Sequence, residues 1–302
     1  MLDLLRNRLS CEPFDNASDK DNVIHFLPTE SSDAILLESC GHFALIDCAE
    51  DKDNPRGFEW LRYRGYENEV LEYVKKVAGK DGKAHLDFIL GTHAHSDHIG
   101  GFDTLLSDES VTVGRAYLKR YDESRINAHE VERWDNKEVY EQTVNALNKR
   151  NIPIIFDIKE TEFKLGKMNI KLFNTEYDTV NIDIGENDNS IGVLVELYSK
   201  RVFLAGDIDN KTGDEDRLAP LIGKVDVLKV GHHSYAYSTS EGWLKTLMPE
   251  VCVVTNDYKN TDKTTLKRII DICASPILIT GEERGVAIAF NPDSELKYYN
   301  NI

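Results

Sequence analysis

Thr92-His93-Ala94-His95-Ser96-Asp97-His98-Ile99-Gly100-Gly101 decides how the rest of the chain is read. Three of the nine histidines and one carboxylate fall within six residues of it. In extended backbone, His93 and His95 are two apart and point the same way. Asp97 and His98 follow where the chain turns into a helix start. This offers two imidazoles to one metal ion, and a carboxylate with an imidazole to a second. Imidazole and carboxylate are ligands of Zn²⁺ and its neighbours in the first transition series. Gly100 and Gly101 would let backbone approach the ions closely.

Working outward, Asp87-Phe88-Ile89-Leu90 is a short apolar run that reads as a buried strand feeding this loop. Upstream, Val23–Leu27, Ala34–Glu38 and Phe43–Asp47 read as strands, the last two as a hairpin across Cys40-Gly41-His42. A charged insertion over 51–66 precedes a helix over Glu67–Val77, with Val70, Leu71, Val74 and Val77 at helical spacing. Downstream, Val113–Leu118 reads as one strand, Glu130–Arg150 as one acidic helix and Ile152–Ile158 as a strand. A hairpin turns at Gly166-Lys167-Met168-Asn169. In the second half, strands run into Asp207, into Gly231-His232-His233 and through Val251–Thr255, with helices over Ser240–Met248 and Thr264–Cys273. There are no low-complexity segments. The chain reads as a single domain over 1–302, with residues 1–20 a loosely ordered arm.

The sequence has 302 residues, 41% apolar and 29% charged, with a formal net charge of −17. That length allows a sizeable core. The acidic balance repels nucleic acid and anionic membranes at long range. The odd set Cys11, Cys40, Cys48, Cys252 and Cys273 shows no close ligand spacing and no disulfide framework. No apolar run approaches the ~18 residues that span a bilayer. Met1–Arg8 lacks a signal-peptide core. A cytoplasmic location is expected, or an extracellular one if a leader has been removed.

The pattern His-x-His-x-Asp-His on a strand-to-helix turn resembles the metal motif of the metallo-β-lactamase-fold superfamily. The resemblance implies an α/β (α+β) fold, an αββα sandwich of two mixed sheets flanked by helices. It also implies a dinuclear site at one edge of the sheets. Asp207, in Gly206-Asp207, matches the superfamily's bridging carboxylate, with Asp209 the alternative. One of His232 and His233 completes the second ion. His233 is preferred, which leaves His232 near the substrate as a proton donor. The expected metal residues are thus His93, His95, Asp97, His98, Asp207 and His233, with Asp97 and His232 in catalytic roles. Asp47 would pin the metal loop through hydrogen bonds. Where many members carry a further histidine on the first metal, this chain has Asn187-Asp188-Asn189-Ser190, so Asn189 would stand behind the ligands instead. His129 is read as a surface residue.

Further likeness is to bacterial phosphorylcholine esterases. It rests on Leu86–Gly100, on Tyr117–Tyr121 with Ser124-Arg125-Ile126 and Trp134-Asp135-Asn136, and on Gly206–Asn210 with Pro220–Asp226. It implies hydrolysis of a small or cell-wall phosphodiester, phosphorylcholine-bearing, by a hydroxide bridging two divalent metal ions. Zn²⁺ is expected first, then Mn²⁺ or Fe. A quaternary ammonium is held by ring faces, and Trp134, Tyr121, Tyr235 and Tyr237 are the candidate aromatics. The alternatives are a nuclease of the competence-protein type and a metal-bound, non-catalytic binding module. Nucleic acid and membrane partners are disfavoured by charge, and the oligomeric state is left open.

Overall fold

Successive residues of the strands Ile35–Ser39 and His42–Ile46 point to opposite faces, and both faces are apolar. Ile35, Leu37, Ala44 and Ile46 pack inward against a second sheet. Leu36 and Leu45 point outward, beneath helices. Strands covered on both faces read as unbroken apolar runs, as these do. The computed structural model describes residues 5–6, 9–17, 20–176, 184–293 and 295–302.

The first sheet runs, edge to edge, through Glu12–Pro13, Leu296–Asn300, Val286–Phe290, Asn22–Phe26, Ile35–Ser39, His42–Ile46, Phe88–Leu90, Ala116–Tyr117 and Ile154–Ile155. The second runs through Glu162–Leu165, Met168–Phe173, Gly192–Leu197, Lys200–Leu204, Val227–Lys229, Val251–Val254 and Ile277–Ile279. Each sheet mixes antiparallel and parallel pairs. Inward residues of both meet in one core, with Phe26, Phe88 and Leu90 on one side and Val193, Val202 and Leu204 on the other. Burying such a side chain contributes about 1.5–3 kcal/mol, so this layer is a principal bond between the sheets. Helices Glu67–Ala78, Phe102–Ser107 and Asn136–Lys149 cover the outer face of the first sheet. Asp214–Ile222, Glu241–Leu247 and Lys263–Cys273 cover that of the second. The result is an αββα sandwich.

Several expected elements differ in form. Val113–Leu118 is two short strands, Val111–Val113 in a small sheet with Lys83–Leu86 and Ala116–Tyr117 in the first sheet. Gly114 makes the step between them; a Cβ there would lie 2.6 Å from Asp87 O. The expected helix over 130–150 is two, Ala128–Arg133 and Asn136–Lys149, with Trp134 extended between them. The strand expected over 152–158 is reduced to Ile154–Ile155. The helix Asp214–Ile222 carries Pro220 inside it, a residue that argues against a helix in sequence. Within the expected arm, Glu12–Pro13 pairs with the strand Leu296–Asn300 and Phe14 is buried. Residues 1–4, 7–8 and 18–19 of that arm lie outside the described residues. All five cysteines are free.

Parallel pairing places the site. His42–Ile46 and Phe88–Leu90 lie side by side in the same direction, so Asp47 and Thr92 follow neighbouring strand ends. In the second sheet, Lys200–Leu204, Val227–Lys229 and Val251–Val254 are also parallel. Their carboxyl ends lead to Asp207, His233 and Thr255. Loops at the carboxyl ends of parallel strands are the usual place for a site in such sheets.

Candidate metal centre

The loop after Phe88–Leu90 is tied to its neighbour before it turns. Thr92 donates its N–H and its hydroxyl to Asp47, and Asp47 Oδ2 lies 2.7 Å from His98 Nδ1. Each of four imidazoles has one ring nitrogen held by the protein. His93 Nδ1 faces Thr92 Oγ1 at 3.0 Å and Ser190 Oγ at 3.2 Å. His95 Nε2 faces Glu130 Oε1 at 2.5 Å. His233 Nδ1 faces Thr255 O at 3.1 Å.

The other ring nitrogens converge. His93 Nε2 is 3.0 Å from His95 Nδ1, and His98 Nε2 is 3.1 Å from His233 Nε2. Asp207 lies between the pairs. Its Oδ2 is 3.9 Å from His93 Nε2, and its Oδ1 is 3.2 Å from His98 Nε2 and 3.3 Å from His233 Nε2. Asp97 Oδ2 closes the second group at 3.4 Å from His233 Nε2. Two donor groups result, Asp97/His98/Asp207/His233 and His93/His95/Asp207, each with its ligand atoms within 4.8 Å of one another.

The residues fit divalent cations. Asp207 Oδ1 is buried and accepts no hydrogen bond although two imidazole nitrogens stand close. A buried carboxylate oxygen without a donor is costly, and a cation between it and those lone pairs removes the cost. Burial alone would raise the Asp207 pKa, but His233, His98 and His232 together hold it well below the usual range. Burial opposes charge on His98, yet Asp207, Asp47 and Asp97 lift its pKa well above normal. Such a cluster holds protons tightly, and metal binding displaces them.

The six residues expected as ligands are thus brought together, with His233 rather than His232 in the second group. His232 stands at the wall, 3.6 Å from Asp209 Oδ2 and 3.9 Å from Asp207 Oδ2. Both it and His233 adopt positive φ, a conformation uncommon outside glycine. Asn189 is fully buried and donates to Glu186, which accepts the Ala94 N–H.

Beside the two donor groups lies a cleft of about 520 Å³. Trp134 and Tyr235 line it, together with Tyr63, Tyr66 and His129. His129 is exposed, as expected of a surface residue, stands at the rim of this cleft and belongs to neither donor group. Tyr121 and Tyr237 do not line it: Tyr121 packs on Tyr140 and borders another depression, and Tyr237 is 70% exposed. The lining is acidic. Glu30, Glu50, Asp188 and Asp209 join Asp97, Glu130 and Asp207, against Arg64 and Lys211.

Sequence reasoning missed Glu130, Glu186, Asp33 and Lys229. Lys229 is fully buried, donates to Gly206 O and pairs with Asp33, which accepts from Thr255. A lysine inside the apolar run Val227-Leu228-Lys229-Val230 was the available signal. Glu130, inside a charged run, gave none.

Among the described residues, no helix is long and apolar enough to cross a membrane. The chain is 38% identical over 75 residues to Recombination protein 2 of Haemophilus influenzae, covering 25% of this chain and 9% of that protein. It is 27% identical over 188 residues to ComE operon protein 3 of Bacillus subtilis, covering 59% of this chain and 21% of that one. The matches thus span less than a quarter of either relative. The metallo-beta-lactamase fold protein YhfI of Bacillus subtilis superposes with a TM-score of 0.53 at 12% identity, over 86% of this chain and 96% of YhfI, which shows the fold. Residues 44–242 match the family described as Beta-lactamase superfamily domain. With that match across more than half of its length, on an αββα sandwich with paired donor groups at its edge, the chain belongs to the beta-lactamase superfamily domain family.

Proposed function

We propose that the chain is a dinuclear-metal hydrolase of phosphodiesters, of the phosphorylcholine esterase type. The observation that carries the reading is Asp207, shared by both donor groups. With Asp207 common to both, His93 and His95 would hold one cation and Asp97, His98 and His233 a second beside it, a pairing suited to phosphoryl transfer. When bound, the ions would supply Lewis acidity toward the phosphoryl oxygens and lower the pKa of an attacking water.

The chain's own residues do the rest. Asp97, partly exposed to the cleft, can orient that water. His232, with Asp209 at 3.6 Å, can donate a proton to the leaving oxygen. Trp134 and Tyr235 offer ring faces, and the carboxylates around them favour a cationic headgroup over a second phosphate.

A nuclease of the competence-protein type is the second reading, favoured by the likeness to Recombination protein 2 and ComE operon protein 3. The acidic lining and the net charge of −17 weigh against it, since a nuclease holds a polyanion. Turnover of p-nitrophenyl phosphorylcholine, bis-p-nitrophenyl phosphate and single-stranded DNA by metal-loaded protein separates the two. Hydrolysis of the first in preference to the others supports the esterase. Cleavage of DNA alone replaces it with the nuclease, and no turnover leaves a binding module.

A further inference from the structure

We propose that Glu130 positions His95 for metal binding, and that Arg56 and Trp60 hold Glu130 in place from a loop outside the donor cluster. This rests on the metal reading above but not on the choice of substrate. His95 Nε2 stands 2.5 Å from Glu130 Oε1. A carboxylate can only accept there, so Nε2 carries a proton and Nδ1 is the ring nitrogen turned toward His93 Nε2, free to bind an ion once its own proton is displaced. The negative partner fixes the ring's tautomer and strengthens its donor nitrogen.

Glu130 is itself fixed on every side. Its carboxylate accepts from Asn127 Nδ2 at 3.0 Å, from Asn136 Nδ2 at 3.3 Å and from the Glu186 N–H at 3.1 Å. Yet the helix that carries it, Ala128–Arg133, has six residues and buries one, Glu130. So short a helix is not stable alone, and here no apolar face anchors it. Its ends are anchored instead. At the start, Asn127 Oδ1 accepts the Glu130 N–H at 2.9 Å. At the finish, Arg56 Nη1 donates to Val131 O and Trp134 O, both at 2.6 Å, and Trp60 Nε1 donates to Arg133 O at 2.9 Å. These are the carbonyls a helix end leaves without partners. Phe58 stacks on Trp60 with ring centroids 4.5 Å apart and lies under the Arg56 guanidinium, which keeps both donors aimed. The charged insertion over 51–66 therefore reaches the first donor group through one short helix. Tyr63 in that insertion and Trp134 just past the helix both line the cleft.

The test is zinc titration of the full chain against a chromophoric chelator, with the absorption spectrum of the Co²⁺-loaded protein and the melting temperature of the metal-free protein. Wild type should hold two ions. In Glu130→Ala one ion should weaken by about 10- to 100-fold while the other is unchanged. Trp60→Phe keeps the stacking but loses the N–H; it should weaken the same ion by a smaller factor and change the same Co²⁺ band. Glu130→Gln should recover part of the loss, and Glu132→Ala, exposed on the same helix, should match wild type. A merely structural role would lower the metal-free melting temperature and leave both affinities alone. Two ions at wild-type affinity in both Glu130→Ala and Trp60→Phe overturn the proposal, as does equal weakening of both ions. If Glu130→Ala does not fold, Trp60→Phe and Glu130→Gln decide. Fewer than two ions in wild type would instead overturn the metal reading beneath it.

Discussion

Asp47 takes both hydrogen bonds that Thr92 can give, its Oδ1 2.7 Å from Thr92 N and its Oδ2 2.8 Å from Thr92 Oγ1. The same Oδ2 lies 2.7 Å from His98 Nδ1. One carboxylate thus ties down the start of the loop and one ring nitrogen of His98, a member of the second donor group six residues on. Asp47 does this at φ +58°, a conformation that aspartate tolerates better than most residues. Asp47→Ala leaves a buried N–H without a partner, which costs about 1–3 kcal/mol. It should also weaken the ion at His98 by about 10- to 100-fold. Urea unfolding and chelator competition read the two effects; unchanged metal affinity would remove the pinning role.

Lys229 and Asp33 form a fully buried ion pair behind the second donor group. Breaking one partner of such a pair costs about 3–5 kcal/mol, because the other charge is left buried alone. Lys229→Met should lose stability on that scale. The double variant Lys229→Met/Asp33→Asn should recover part of it. Additive losses in urea unfolding would mean that the two residues act independently.

Glu215 supplies a pH dependence away from the metal cluster. It is buried at the start of Asp214–Ile222 and accepts the N–H groups of Thr239 and Ser240. Burial raises its pKa from 4.5 to about 7, against the pull of those donors. A carboxyl whose pKa is raised on folding adds stability below its unfolded pKa and loses it as pH rises through the folded one. Between pH 5.5 and 8 this amounts to about 2 kcal/mol, taking ~1.4 kcal/mol per unit. Glu215→Gln cannot ionise, so its stability should fall less than wild type over that interval. Parallel urea curves for the two proteins at both pH values would contradict the assignment.

Much of this was legible because local pattern and tertiary context agree. The strand Phe88–Leu90 has the bounds its apolar run suggests, and the six donors share short motifs at strand ends. What was not legible depends on distant partners. Ala128–Arg133 ends at Trp134 because Arg56 and Trp60, more than seventy positions away, take its carbonyls. Glu130 gains meaning only beside His95. Pro220 masks a helix that an acidic first turn and the apolar Leu218, Ala219 and Ile222 sustain. Aromatics near a motif need not face it, as Tyr121 and Tyr237 show.

Trp134 and Tyr237 test the cleft assignment. Trp134→Ala should lower kcat/KM for p-nitrophenyl phosphorylcholine by about tenfold, the value of one partly desolvated cation–π contact. Tyr237→Ala should leave it unchanged. The reverse order would place the headgroup elsewhere.

The central claim is that two cations sit on donors shared through Asp207. Anomalous diffraction from crystals grown with Zn²⁺ tests it most directly. Two peaks are predicted, one bonded to Asp97, His98, Asp207 and His233 and one to His93, His95 and Asp207. Peaks that miss Asp207, or none at this edge of the sandwich, would contradict it.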